Sequence, residues 1–374
     1  MAVTLNDLRR LTISQSLFPP TTLKRALARM QFVQADPIRA PARAQDLILR
    51  HRVRNYCAGD LERRYGKLGV EEDFFINYGF VTRDLQSLMH PRSDSGVPAA
   101  GCLPWSASRR KKAQLLLDFV RKRGTVHPRE VDEYFAHGKV KNYWGGSSNA
   151  TTHLLDAMHY QGVLRVVRRE AGIRLYAAHE HAAVPMNEAE CEKRIDALAD
   201  AAIGIYAPLP ISSLRFLLRR LCFAAPQWEE RISDAIRRAK ERMQHAQVNE
   251  TDWFWPRGWK LRQSEPEHSV RLLAPFDPMV WDRWRFEKLW GWTYKFEAYT
   301  PQAKRVRGYY AMPLLWRDHV IGWGNLAARN GELKADFGFV ASAPRDRVFQ
   351  TGLVEELERM RSFLKVDQPD AAGM

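Results

Sequence analysis

ATTHLLDAMHYQGVLRVVRREAGIRLYAA, residues 150–178, is the stretch that decides the fold. Thr151, Leu154, Leu155 and Met158 recur at i, i+3, i+4 and i+7, the spacing that lines one face of an α-helix. Gly162 stops that helix, because a residue without Cβ takes the left-handed backbone of a helix end without steric cost. Val163 to Arg168 and Ile173 to Tyr176 are strand-like runs split by Arg169-Glu170-Ala171-Gly172, which predicts a hairpin with a basic tip. Towards the N-terminus, Ala113, Leu116, Leu117 and Val120 repeat at helical spacing among Arg109, Arg110, Lys111, Lys112 and Arg121, an amphipathic basic helix. Gly124 ends it, and Thr125 and Val126 supply a short strand. Pro128 at a first-turn position and Glu130 then open a second helix that buries Val131, Tyr134 and Phe135. Gly145 to Ser148 reads as a loop.

Helix, short strand, helix, helix, hairpin, from about Ser106 to Ala178, is the order of a winged helix. Such a unit lays its third helix in the major groove of DNA and reaches the backbone or minor groove with its hairpin tip. Asn149, Thr152, His153, Arg168 and Arg169 are then the DNA-facing candidates. A winged helix used only for packing or protein contacts is the competing reading. The surrounding cations favour DNA.

At 374 residues the chain exceeds one ordinary core, and its 58 basic and 43 acidic residues give a formal charge of +15. Charge spread along a chain that is 45% hydrophobic describes a globular protein with a polyanionic partner. No stretch approaches the roughly 18 uninterrupted apolar residues of a spanning helix, and the start has no signal-peptide core. The expectation is a soluble, cytoplasmic monomer bound to duplex DNA, with no membrane partner. Cys57, Cys102, Cys191 and Cys222 form no C-x-x-C pair and no zinc spacing, so reduced thiols are expected. His179 and His181 flank Glu180 without a third ligand nearby, so no metal and no cofactor is expected. P-loop, G-x-G-x-x-G and G-x-S-x-G signatures are all missing.

The organisation expected is α+β: tandem winged-helix (helix-turn-helix) units followed by an antiparallel β-rich domain. Residues 1–105 form an N-terminal winged-helix-like domain, with helical runs at Leu8, Leu11 and Ile13 and at Leu23, Leu27 and Met30. Residues 106–182 form the central winged helix. Residues 183–260 read as a helical, third winged-helix-like domain from Glu188 to Gln247. Residues 261–374 form the β-rich domain, with strands at Arg271 to Ala274, Tyr294 to Tyr299, Gly308 to Met312, Val320 to Gly324 and Leu333 to Phe339, and a last helix from Ala343 to Leu364.

Gln34-Ala35-Asp36-Pro37 is the candidate active segment. Pro37 pushes Asp36 away from helical geometry, and alternation along an extended backbone puts Gln34 and Asp36 on one face. A carboxylate there suits the oxocarbenium character of a sugar losing its base, while the paired carboxamide orients the attacking water. The competing reading makes Asp36 a helix cap with Pro37 at the first position. Pro41 opposes a continuous helix and places its start near residue 41. Arg39, Arg43, Arg50 and Arg52 follow closely, either binding phosphates or forming a solvated basic face. Leu273-Ala274-Pro275-Phe276-Asp277-Pro278 with Trp281-Asp282-Arg283 is dense in turn-formers and aromatics, and Phe276 and Trp281 suit a structural role there. Asp277 forms a turn or pairs with Arg283. Lys304, Arg305 and Arg307 precede Tyr309 and Tyr310, a mixture able either to hold phosphates and stack bases or to build sheet core.

These stretches together resemble the YcaQ-like winged-helix DNA glycosylases, the family that includes the AlkZ-type enzymes. Val33 to Ile38, continuing through Ala42-Arg43-Ala44 to Leu47, is similar to the family's Q-Φ-Q catalytic segment. Tyr143-Trp144-Gly145 through Gly162-Val163-Leu164 is similar to its central winged helix. The most specific match is Leu273 to Asp282-Arg283, continuing to Lys304-Arg305, Gly308-Tyr309-Tyr310 and Pro313-Leu314-Leu315. The resemblance implies tandem winged helices, a C-terminal β-domain and monofunctional, metal-free removal of N-alkylated purines by Gln34 and Asp36. Some members also unhook interstrand crosslinks. Asp36 stands where the best-known members carry the second Gln, and Phe74 to Arg92 lacks their Trp-x-His pattern.

Overall fold

The computed structural model describes residues 2–92, 105–135, 139–141, 147–181, 187–261, 267–329 and 331–366. The chain packs as two compact units, each assembled from separated stretches: Met1–Leu61, Ala202–Phe216 and Ala239–Met374 in one, Glu62–Ala201 and Leu217–Arg238 in the other. Residues 183–260 therefore contribute to both. Helices and antiparallel sheets are mixed among the described residues.

The second unit contains the segment that decides the fold. Ser106 caps the helix Ala107–Arg123 by accepting from the Arg109 N–H, and Gly124, at φ 79°, ends it. Thr125–Val126 leads into the helix Pro128–Phe135, and Ala150–Gln161 follows. Gly162 adopts φ 86° as that helix ends, with the Val163 N–H reaching back to the Met158 carbonyl at 3.1 Å. Leu164–Glu170 and Ile173–Ala178 form the hairpin, joined by Ala171 and Gly172 at φ 48° and 87°, the left-handed pair that a two-residue turn needs. Thr125–Val126 adds a third strand beside Ile173–Ala178. Leu116, Val120, Val126, Val131, Leu155, Met158 and Val166 fill the core between helices and sheet. Where a loop over Gly145 to Ser148 is expected, Ser147–Asn149 instead pairs with Lys139–Lys141, while residues 142–146 lie outside the described residues.

In the first unit the helix Leu5–Ser16 starts from a Thr4/Asp7 capping box, and Leu23–Met30 is followed by the strand Phe32–Gln34. A four-stranded sheet runs in the order Val270–Leu272, Met312–Trp316, His319–Arg329, Glu332–Phe339. The last helix, Arg347–Leu364, buries Glu356, whose carboxylate accepts the Leu272 N–H at 2.7 Å.

Further sequence expectations need correction: the helix Pro128–Phe135 buries Val131, but Tyr134 is 68% exposed. Tyr294 to Tyr299 is not a strand, and the strand expected from Gly308 begins only at Met312. The cause is Glu297, whose Oε2 accepts the N–H groups of Val306, Arg307 and Gly308 at 2.9, 2.8 and 3.2 Å, so these donors serve a side chain rather than a ladder. The helical reading to Gln247 also ends early, because Met243–Val248 forms a strand against Thr251–Pro256.

Candidate active site

The site grows from the end of the helix Leu23–Met30. Gln31 takes φ 58°, which turns the chain into the strand Phe32–Gln34. Phe32 and Val33 anchor that strand in the core, and Gln34 is 8% exposed. Asp36 is half-buried, and its Oδ1 accepts the Ile38 N–H at 2.9 Å across Pro37, a local turn that fixes the carboxylate. It caps no helix: the next one is Ala44–Leu49, with Arg43 at its N-cap and no side-chain cap bond. The start expected near Pro41 thus lies three residues further on.

Burial pushes the Asp36 carboxyl above its ordinary value, against the opposing pull of the Ile38 N–H. Its charge also reaches two phenols. Tyr299 and Tyr310 are both raised, first by burial and then by Asp36. The two differ in setting, since Tyr299 is 79% exposed and Tyr310 only 3%. Phe296 stands between them, 6.2 Å from the Tyr299 ring and 5.3 Å from the Tyr310 ring, and packs edge-on against Phe276 at 5.0 Å. Arg283 lies 4.5 Å over Tyr294, donates to the Val280 carbonyl, and its charge opposes the rise at Tyr310. One half-buried carboxylate, a buried phenol and an exposed phenol thus share an aromatic neighbourhood. Such a place can hold a planar, electron-poor ring and orient a water.

The basic residues after this segment divide. Arg39 is exposed and Arg43 half-buried. Arg50 and Arg52 do not form a phosphate-binding or solvated face. Arg50 is 3% exposed at its side chain, donates to the Leu272 carbonyl at 3.0 Å and pairs with Glu356. Arg52 has no exposure and grips Asp277 at 2.7 and 3.0 Å, while donating to the Ser16 and Ile48 carbonyls at 2.7 Å each. Asp277 therefore belongs to Arg52 and not to Arg283. Asp282 instead caps the helix Arg283–Trp290. Phe276 packs as described, and Trp281 packs 5.0 Å from Tyr206 and 5.8 Å from Phe216.

Lys304 is exposed, and Arg305 lies 5.0 Å over the Tyr309 ring. The Arg307 guanidinium lies over both Trp292 and Trp323, at 5.3 and 5.4 Å from their rings, and so packs against aromatics.

In the second unit Thr152 and His153 are partly exposed on their helix, while the Asn149 side chain lies outside the described residues. Arg168 is 55% exposed and pairs with Glu170 at 2.8 Å. Arg169 corrects the expectation of a DNA-facing tip. It is only 16% exposed and binds Glu72 through two nitrogens at 2.8 and 2.5 Å. Glu72 belongs to a run of three buried acids, Glu71, Glu72 and Asp73, each met by arginine: Arg165, Arg169 and Arg92.

His181 stacks on His90 at 4.5 Å and lies 4.3 Å from His179. Among the described residues no group of three or more His, Cys, Asp or Glu side chains has the arrangement to hold a metal ion. Cys57, Cys191 and Cys222 are free thiols, and Cys102 lies outside the described residues. No helix among the described residues is long and apolar enough to cross a membrane.

Sequence reasoning missed Tyr299 and Glu297. Tyr299 falls in a run that alternates like a strand, which hid its exposure. Glu297 is the single acid among those aromatics and was the available signal.

The mixed helical and antiparallel architecture is shared with a solved structure. The Streptomyces sahachiroi DNA glycosylase AlkZ is similar in fold with a TM-score of 0.65 over 98% of each chain, at 14% sequence identity. The family model for AlkZ-like DNA glycosylases matches residues 27–363, and the chain belongs to that family. The matched span includes Gln34, Asp36, Arg283, Tyr299 and Tyr310.

Proposed function

We propose that the protein hydrolyses the N-glycosidic bond of N-alkylated purines in duplex DNA, as a monofunctional glycosylase working through Gln34 and Asp36. The observation that carries this is Asp36 itself: a half-buried carboxylate fixed by the Ile38 N–H, two residues beyond a buried glutamine, in a strand-to-turn segment rather than at a helix cap. As the C1′–N bond lengthens, the sugar gains oxocarbenium charge, which an ionised carboxylate in a partly desolvated site stabilises strongly. Water attacks C1′ and gives its proton to Asp36. The bond electrons leave with the base, neutralising its alkyl-derived positive charge, so no strong general acid is required. Gln34 holds the water through its carbonyl oxygen. Residues 106–182 serve as the winged helix that docks on the duplex, a reading supported by the exposed Arg110, Lys111, Lys112, Arg121, Lys122 and Arg123 on its first helix. Interstrand crosslinks built from the same N-alkyl purines are substrates of the same chemistry.

The test is single-turnover release of 7-methylguanine from a duplex, and of the unhooked strand from an N7-crosslinked one. Release by the wild type with loss in Asp36→Asn is expected. A duplex bound but left intact by the wild type on every alkylpurine tried would identify a non-catalytic DNA-binding regulator instead.

A further inference from the structure

We infer that a basic cavity within the first unit binds the phosphate of a nucleotide. The cavity measures about 780 Å³, and Arg50, Arg54, Arg271 and Arg359 line it. All four belong to stretches of that one compact unit. None lies in the Gln34 to Asp36 segment, so the inference goes beyond base release and does not rest on it.

Three parts of the chain bring the arginines together. Arg50 follows the helix Ala44–Leu49, and Arg54 follows the bridge between Thr21 and Val53. Arg271 stands on the strand Val270–Leu272, and Arg359 on the last helix, Arg347–Leu364. Backbone carbonyls hold three of them: Arg50 donates to Leu272 at 3.0 Å, Arg359 to Val270 at 2.9 Å and Arg54 to Pro20 at 2.9 Å. An anion therefore meets guanidinium groups already fixed in place and need not order them.

The charge is not balanced within the cavity. Among the described residues its one lining carboxylate is Glu358, which Arg361 already pairs with. Glu356, with no exposure, serves Arg50 and Arg359 together. Arg50 is fully engaged by that acid and by Leu272, so it supplies field rather than a bond to the ligand. Arg271 meets Glu267 at 3.1 Å, an exposed carboxylate in the kind of surface pair that holds weakly. Arg54 makes no ion pair among the described residues, and its Nε alone is engaged, by Pro20. Its Nη1 and Nη2 remain as a fork that matches two phosphate oxygens. The buried His51 lines the same cavity and registers the field: burial first, then Arg50 and Arg271, hold its imidazole well below the ordinary value. Like charges gathered around one cavity repel, and a bound anion relieves that repulsion.

Size and wall chemistry narrow the choice of anion. A bare phosphate would fill a small part of the cavity. Tyr56 and Phe363, stacked at 6.3 Å, join Pro20 and Val53 as its apolar wall. Apolar surface with a few placed charges is the make-up of a small-molecule site, and a nucleotide offers both a phosphate for Arg54 and a planar base for that wall.

The experiment titrates the full chain with deoxyguanosine 5′-monophosphate and with inorganic phosphate by calorimetry, and measures duplex affinity against salt in parallel. Wild type, Arg54→Ala, Arg359→Ala and Lys193→Ala are compared. Lys193 is 80% exposed in the other unit, so its loss removes one positive charge elsewhere. Arg54→Ala keeps the backbone bond from residue 54 to the Thr21 carbonyl, and Arg359→Ala leaves Arg50 on Glu356, so both should fold. One nucleotide should bind wild type and Lys193→Ala alike, more tightly than inorganic phosphate does. Arg54→Ala and Arg359→Ala should each weaken it by about tenfold or more, the scale of one hydrogen bond to a charged group. The duplex identifies the source of the phosphate. Nucleotide binding with an unchanged duplex salt slope in Arg54→Ala means a free nucleotide, whereas a slope flattened by about 0.9 in that variant and not in Lys193→Ala means a nucleotide within the strand. No saturable nucleotide binding together with an unchanged slope overturns the inference. So does nucleotide binding that Arg54→Ala retains in full, or that Lys193→Ala weakens equally, which would make the effect one of net charge.

Discussion

Arg52 and Asp277 form a bidentate ion pair with neither side chain exposed, at 2.7 and 3.0 Å, across 225 positions of sequence. Four of the arginine's hydrogen bonds are inside the protein, and Asp277 also accepts the Met279 N–H at 3.0 Å. Severing a buried pair leaves an uncompensated charge and typically costs about 3–5 kcal/mol. Asp277→Ala is therefore expected to lower unfolding free energy on that scale in urea denaturation. Below the unfolding transition its DNA affinity should keep the wild-type salt slope. A slope reduced by about 0.9 in Arg52→Ala would mean that Arg52 binds phosphate after all.

The hairpin tip separates two adjacent arginines in the same way. Arg169 neutralises Glu72, which is nearly fully buried. Burial pushes that carboxyl up, but the bonds and charge of Arg169, with help from Arg174, bring it below its ordinary value. Arg169→Ala should destabilise by the low end of about 3–5 kcal/mol, since Arg174 still faces Glu72 at 3.8 Å. A lowered carboxyl contributes stability above its unfolded value and loses it as pH falls through the folded one, so the difference between wild type and Arg169→Ala should shrink in acid. Arg168→Ala, on an exposed surface pair, should leave stability within about 0.5 kcal/mol.

Duplex binding should be strongly salt dependent. Lys111 and Lys112 are exposed on the first helix of residues 106–182. Each phosphate neutralised contributes about −0.9 to the slope of log K against log salt. If both lysines meet phosphates, Lys111→Ala with Lys112→Ala should flatten the slope by about 1.8. An unchanged slope in a fluorescence-anisotropy titration would move the DNA to another face.

What could be read from the sequence followed the range of the forces involved. Residues 106–178 were legible because their signals are local: helical spacing at Leu154, Leu155 and Met158, and punctuation at Gly124, Pro128 and Gly162. The fates of Arg50 and Arg52 were not, because their partners Glu356 and Asp277 lie 306 and 225 positions away. Nothing in a basic run distinguishes an arginine that will be buried from one that will be solvated. Tyr294 to Tyr299 failed for a related reason. Its aromatic alternation imitates a strand, while the hydrogen bonds that decide the matter go from residues 306–308 to Glu297. The candidate site was half visible: Gln34 and Asp36 by their spacing before Pro37, but the exposure of Tyr299 and the burial of Tyr310 against Phe296 only once the chain had folded.

The sharpest prediction concerns the charge on Asp36. Its carboxyl is raised above the ordinary value by burial, so ionising it costs the folded state. The sign follows from linkage. A carboxyl whose folded value exceeds its unfolded value contributes stability fully present below the unfolded value, and that contribution is lost as pH rises through the folded one. At neutral pH the wild type therefore carries an unfavourable charge that Asp36→Asn removes. Asparagine can still accept the Ile38 N–H through its side-chain oxygen, so the turn at Pro37 survives. The variant's thermal midpoint should match or exceed the wild type at pH 7, with the difference vanishing near pH 3, where both side chains are neutral. Base release should move the opposite way, falling by on the order of 10²-fold or somewhat less, because a cationic base already leaves readily. In the wild type, base release should decline in acid with a midpoint above the usual carboxylate value of about 4. An Asp36→Asn variant that is less stable at pH 7, and whose lost activity merely tracks that instability, would make Asp36 a structural residue.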